Sequence, residues 1–315
     1  MDADVPARSR AKADATADTA SGEVAVDDGE AVAVASGAAG SSPQPASVAV
    51  APGRDPDDRG QAPSAPMGVI QGHGSSRLTS SSCPVAGVPR RVGCRGYGGA
   101  VASRPDLFAH DIGLGTRWVA GADEAGRGCL AGPIVGAAVC LDLVGLRAEG
   151  RDALAGLRDS KALTARRRAA LFTVIVRHAA QVAVIAASSR SIDRDGLHAT
   201  NIRVLRDALS VLDPLPEVCL VDGFWLGEDA PPHRAVVKGD ATSAAIAAAS
   251  IVAKETRDRL MRGPVAGAYP GYGFERHVGY ITAVHSQAVR DLGPSAIHRL
   301  SFRSSAYGDH PTLFG

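Results

Sequence analysis

The chain has 315 residues, 45% of them apolar and 21% charged, which is enough to build a sizeable core in one or two domains. Lys+Arg 34 against Asp+Glu 33 leaves a formal charge of +1, so no chain-wide field marks a nucleic-acid or membrane partner. The absence of a long apolar run, of a basic-then-apolar leader and of paired cysteines argues against a membrane span, a signal peptide and a disulfide framework, so a cytoplasmic protein is expected. From Met1 to Val69 there is no Leu, Ile, Phe, Tyr or Trp, and the first aromatic residue is Tyr97. Such a segment cannot offset an ordering cost of roughly 1–2 kcal/mol per residue. Residues 1–112 are therefore expected to be a disordered tail rich in Ala, Ser, Gly and Pro. Cys83 and Cys94, with His73 nearby, do not match a zinc spacing. An ordered domain is expected over 113–307, with a short tail at 308–315. Residues 111–315 carry 24 basic and 21 acidic groups, a mildly basic balance that permits a nucleic-acid partner without arguing for one.

Within that domain strands alternate with helices. Trp118–Ala122 and Pro133–Leu141 read as strands joined by a Gly-rich turn, and Thr164 as the cap of a helix to about Ala180. A third strand is expected at Val182–Ala187, a helix at Ile192–Leu212, and a fourth strand at Val218–Val221. His233–Val237 reads as the fifth, leading through Lys238-Gly239-Asp240 into an Ala-rich helix to about Met261. A last helix is expected at His277–Arg290. This pattern indicates an α/β domain with a mixed sheet flanked by helices.

The acids fall at informative places. Asp123-Glu124, Asp222 and Asp240 each follow an apolar strand or open a strand-to-helix turn, where open α/β sheets bind ligands. Taken singly, each is a solvated turn residue. Together, four converging carboxylates would repel one another and raise some pKa values, and two divalent cations would neutralise their charge. All-oxygen ligation suits Mg²⁺ or Mn²⁺, and two such ions about 3.5–4 Å apart form a clamp for phosphodiester hydrolysis. Gly126 and Gly128 leave room for a sugar-phosphate backbone, Arg127 could grip a phosphate, and Lys161 could approach a phosphate or the acids. Asp258 reads as a structural partner of a nearby Arg, His298 as a packing histidine, and the alanines from Ala244 to Ala249 as close helix packing.

Asp123-Glu124-Ala125-Gly126-Arg127-Gly128 resembles the opening motif of the ribonuclease HII family, the type-2 ribonucleases H. The likeness continues through Asp159-Ser160-Lys161, Val221-Asp222-Gly223 and Lys238-Gly239-Asp240. It goes on through Ala247–Lys254, Arg257–Met261, Tyr269–Phe274, His277–Thr282 and Ile297–Phe302. The match spans about 117–303. It implies a ribonuclease H-like fold and an endonuclease acting on RNA–DNA hybrids and on the 5′ side of single ribonucleotides embedded in duplex DNA, leaving a 3′-hydroxyl and a 5′-phosphate. It also implies two Mn²⁺ or Mg²⁺ ions on Asp123, Glu124, Asp222 and Asp240, with those acids catalytic. By the same resemblance Gly126, Arg127 and Gly128 recognise the 2′-hydroxyl, Tyr280 packs on the adjacent sugar, and the protein is a monomer without a membrane partner. Val278 stands where the family usually has lysine, which removes one phosphate contact. A non-catalytic hybrid binder would be expected to have lost one of the four acids, and an adaptor acting through the tail leaves them unexplained.

Overall fold

A strand covered on both faces must be apolar at consecutive positions, and two segments meet that demand: Trp118–Ala125 (β1) and Ile134–Asp142 (β2). The computed structural model describes residues 106–146, 148–157 and 163–308, together with the backbone of two strands at Gly22–Val26 and Glu30–Ser36. In it β1 and β2 pair antiparallel, from Trp118↔Asp142 to Ala125↔Val135. Gln181–Ala187 (β3) pairs antiparallel with β2, while Val218–Asp222 (β4) lies parallel to β1 and Arg234–Val236 (β5) parallel to β4. The domain's own sheet is thus mixed, in the order β3-β2-β1-β4-β5. The strands at 22–26 and 30–36 pair with each other and lie antiparallel along the edge of β3.

Side chains alternate across this sheet and meet helices on both sides. One face packs against Leu107–Ile112 (α1), Ala148–Leu154 (α2), Ala165–His178 (α3) and Ala244–Leu260, the sixth helix in the chain. The other packs against Ser189–Asp195 (α4) and Leu197–Ser210 (α5). The long helix Ala244–Leu260 is therefore α6. Its alanines are all fully buried, and a Cβ on Gly121 of β1 would run into the backbone of Ala245 and Ile246. Small residues on both partners let α6 seat directly on the strand that carries the acidic pair, as close packing of the Ala run requires. A third apolar cluster, built on Leu130, Met261, Tyr272, Phe274, Val289 and Tyr307, joins the C-terminal segment to the β1–β2 loop. It holds Phe274–His277 (α7) and Ala283–Leu292 (α8).

Three expectations need correction. The domain begins before residue 113: α1 lies inside the stretch expected to be disordered, with Leu107, Phe108 and Asp111 buried. Asp111 Oδ2 accepts from Ala245 N at 3.0 Å, so this short helix supplies a remote cap to α6 beside the local cap Ser243. The rest of the expected tail, apart from the backbone of 22–26 and 30–36, lies outside the described residues. The helix expected at 192–212 is two helices, broken at Gly196 with φ +85°. The helix expected from His277 is likewise two pieces; α8 starts only at Ala283, where the Thr282 side chain accepts from His285 N. Thr164 caps α3 as its residue type predicts. Cys129, Cys140 and Cys219 are free and buried. Among the described residues no helix is long and apolar enough to cross a membrane.

Candidate active site

The parallel register Ala122↔Val221 puts the next residues, Asp123 and Asp222, at the same level on neighbouring strand ends, on the face that α6 covers. Asp123 is buried, and its Oδ1 accepts from Glu124 N at 2.7 Å. Burial pushes its carboxyl well above the ordinary aspartate range; the nearby charges of Glu124 and Asp222 push the same way, while a hydrogen bond from Ser250 of α6 opposes them. Asp222 Oδ1 accepts from Gly239 N at 2.7 Å, which ties the end of β4 to the turn carrying Asp240. Asp123, Glu124 and Asp222 therefore act on one another, and Asp240 stands one residue beyond the amide that holds Asp222. The donor set is all oxygen and mutually repulsive, which fits a hard divalent cation. Among the described residues no three His, Cys, Asp or Glu side chains are closed into a ready-made cage.

The loop between β1 and β2 is held from beneath by two buried arginines. Arg257 of α6 donates to the carbonyls of Pro133 (3.0 Å), Val278 (2.9 Å) and Ala131 (3.1 Å). Arg299 donates to Gly132 and Pro133 and, at 3.0 Å, to the Arg127 carbonyl. Burial, with the charge of Arg257, lowers the Arg299 guanidinium to about 10, still charged at neutral pH. This changes the reading of the two glycines. Gly126 (φ +100°) is buried, and a Cβ there would strike the Arg257 guanidinium, so its missing side chain makes room for Arg257 rather than for a ligand. Gly128 is exposed with nothing within 4 Å of a Cβ, and is the place where a ligand can reach the main chain. Arg127 Nη1 lies 3.6 Å from Glu124 Oε1, and its guanidinium sits 4.8 Å over the Phe224 ring.

Tyr280 joins this turn: Cys129 and Tyr280 form an isolated bridge, and Leu130 N donates to Gly279 O at 2.9 Å. Its ring is 37% exposed, with Lys254 Nζ 5.0 Å from the centroid on the protein side. The turn, Tyr280 and the acids are thus brought to one end of the sheet. Lys161 lies outside the described residues. Val278 is buried in the left-handed region (φ +46°), so its side chain packs inward where the resemblance places a lysine. Ser250, Lys254 and Arg257 were not expected in the site. Their 0, +4, +7 spacing is one stripe of α6, and that polar stripe on an alanine helix was the available signal. Asp258 pairs with Arg168 (3.2 Å) and Lys254 (2.6 Å), the structural role expected of it.

The family model described as Ribonuclease HII matches residues 120–305. A ribonuclease HII from Synechococcus sp. (strain CC9902) is 48% identical over 197 residues, covering 61% of this chain and 94% of the relative. One from Mycobacteroides abscessus is 46% identical over 206 residues, covering 64% of this chain and 85% of the relative. Among solved structures, the ribonuclease H2 from Pyrococcus horikoshii OT3 is similar with a TM-score of 0.49 and 27% identity, over 59% of this chain and 94% of that one.

Proposed function

The chain belongs to the ribonuclease HII family, and on that premise we propose that it hydrolyses the RNA strand of RNA–DNA hybrids and cuts duplex DNA on the 5′ side of an embedded ribonucleotide. The observation that carries this reading is the β1–β4 register, which sets Asp123 beside Asp222 at adjacent parallel strand ends. Asp123, Glu124, Asp222 and Asp240 would hold two Mg²⁺ or Mn²⁺ ions. Such ions, when bound, lower the pKa of a water and neutralise charge on a phosphodiester. The chain's own groups do the rest. Ser250 and the Glu124 amide fix the Asp123 carboxylate, and Gly239 N fixes that of Asp222, so neither must reorganise when a phosphate arrives. Gly128 lets a ribose approach the main chain, whose polar groups can sense a 2′-hydroxyl. Tyr280 offers a half-exposed ring to the next sugar. Arg127, stacked on Phe224 and beside Glu124, could grip a phosphate with its remaining N–H groups. The free, buried cysteines suit a reducing cytoplasm, and we read the protein as a monomer.

The test is cleavage mapping on three matched duplexes: all-DNA, one ribonucleotide, and a run of ribonucleotides, each with and without Mg²⁺ or Mn²⁺. Metal-dependent cutting 5′ of the single ribonucleotide, leaving a 3′-hydroxyl, is expected. Comparable cutting of the all-DNA duplex, or cutting that persists in excess chelator, overturns the reading.

A further inference from the structure

Three histidines take no part in the chemistry above, yet they are buried behind Tyr280: His277, His285 and His298 are 9%, 0% and 2% exposed. His277 and His285 stack with centroids 4.3 Å apart, and His285 and His298 are 5.3 Å apart, with Phe274 against all three rings. Their hydrogen bonds fix every proton. Ser295 N–H donates to His298 Nδ1 at 2.9 Å, joined by the Ser295 hydroxyl at 2.8 Å, so Nδ1 is an acceptor and Nε2 carries the hydrogen. His298 Nε2 lies 3.1 Å from His285 Nε2 and therefore donates to it. His285 must then carry its hydrogen on Nδ1, and Nδ1 is 2.9 Å from the Tyr280 carbonyl, which can only accept. The two ends of the chain demand the same tautomers. His277 is fixed in the same way: Gly279 N–H donates to its Nδ1 at 3.2 Å, and its Nε2–H donates to Tyr272 O at 2.8 Å.

We propose that His285, backed by His298, is the positioning residue for Tyr280: a one-way hydrogen-bond chain from Ser295 ends on the Tyr280 carbonyl and sets how its ring meets the sugar beside an RNA-to-DNA junction. This rests on the reading of Tyr280 as a sugar contact. The chain works only with both rings neutral: a second proton on His285 goes to Nε2, against the His298 Nε2–H, and one on His298 goes to Nδ1, against the Ser295 N–H. The other titratable groups packed here are Tyr272 and Tyr307, whose rings lie 5.2 and 6.3 Å from His298. Burial lowers both His285 and His298 to about 4, in keeping with the neutral pair.

Two side chains separate the halves of His285's role. Asparagine can place an amide N–H near Nδ1 and so keep the bond to Tyr280 O, whereas glutamine reaches the Nε2 position and loses it. His285→Asn should hold kcat/KM on the single-ribonucleotide duplex within about threefold of wild type. His285→Gln should lose about tenfold there, with a smaller loss on a run of ribonucleotides. Equal losses for both variants on both substrates, tracking their melting temperatures, mean packing alone and overturn the proposal; so does wild-type selectivity in His285→Gln. If neither variant folds, nitrogen-edited NMR of the wild-type rings decides: Nδ1–H on His285 with Nε2–H on His298 is expected, and the opposite tautomers overturn it. Tyr280→Ala reports the underlying reading separately. If it leaves junction selectivity intact, the sugar-contact role of Tyr280 has failed, whatever the histidine tautomers prove to be.

Discussion

The ends of β1 and β4 and the C-terminal layer of α7 and α8 both bury polar groups, and they do so by opposite rules. At the strand ends Asp123 is buried beside Glu124 and Asp222, like charges whose repulsion and desolvation raise its pKa. In the C-terminal layer three histidines are buried with each ring nitrogen matched to a donor or an acceptor. One region stores an electrostatic cost that a bound cation would relieve; the other is already satisfied. On the proposed reading, the region that stores that cost would act on the substrate, and the satisfied one would give it a fixed wall.

The comparison breaks most visibly at the acids. Asp222→Asn should lower cleavage by at least about 10³-fold, roughly 4 kcal/mol in barrier, while the melting temperature of the metal-free protein stays level or rises as repulsion is removed. Activity within threefold of wild type would mean that the acids are ordinary turn residues. Next comes the scaffold between the two regions. Arg257→Met would leave the carbonyls of Ala131 and Val278 without their side-chain donor, and that of Pro133 with Arg299 alone, and should cost about 3–5 kcal/mol in denaturant unfolding. A loss below about 1 kcal/mol would show that the loop holds itself.

Acid sharpens the contrast further. His285 and His298 titrate near 4 when folded and near 6.5 when unfolded, so between those values the unfolded chain binds more protons. Their contribution to stability is complete above about pH 6.5, declines as pH falls, and is gone below about pH 4. Each ring should account for a loss on the order of 3 kcal/mol over that window, and the pair for about twice that. A His285→Asn, His298→Asn double variant should flatten that part of the curve; an unchanged slope would refute the assignment. The smallest effect concerns the start of the domain. A chain beginning at residue 113 loses the Asp111 cap on α6 and should be less stable than one beginning at 105 by on the order of 2 kcal/mol, with similar kcat in both. Equal unfolding midpoints would show that α1 contributes nothing.

Much of the site was legible because its signals are local. Asp123 and Asp222 end apolar runs, Asp240 sits in a strand-to-helix turn, the alanines of α6 announce close packing, and Thr164 sits where a cap belongs. What escaped was carried by distant partners or by very short elements. Arg257 and Arg299 look like solvated charges in sequence, because all but one of the carbonyls they hold lie more than a hundred residues upstream. The six residues of α1 bury one apolar pair, Leu107 and Phe108, and their anchor is an amide 134 residues away. Gly126 was read as room for a ligand because the guanidinium that fills the space comes from another element. His298 was expected to be a packing histidine and is buried. Its link to Tyr280 passes through His285 and is set by tautomers, which leave no trace in composition.

The Arg299 clamp also bears on the order in which a ribosome makes this protein. Every acid of the proposed centre has been synthesised by residue 240, but the turn at 126–133 waits for a guanidinium encoded at position 299. A nascent chain interrupted between those points would own its carboxylates without a finished surface to present RNA to them. The turn is thus completed only by a residue added well after the last acid, so the acids and the surface beside them are finished at different stages of synthesis.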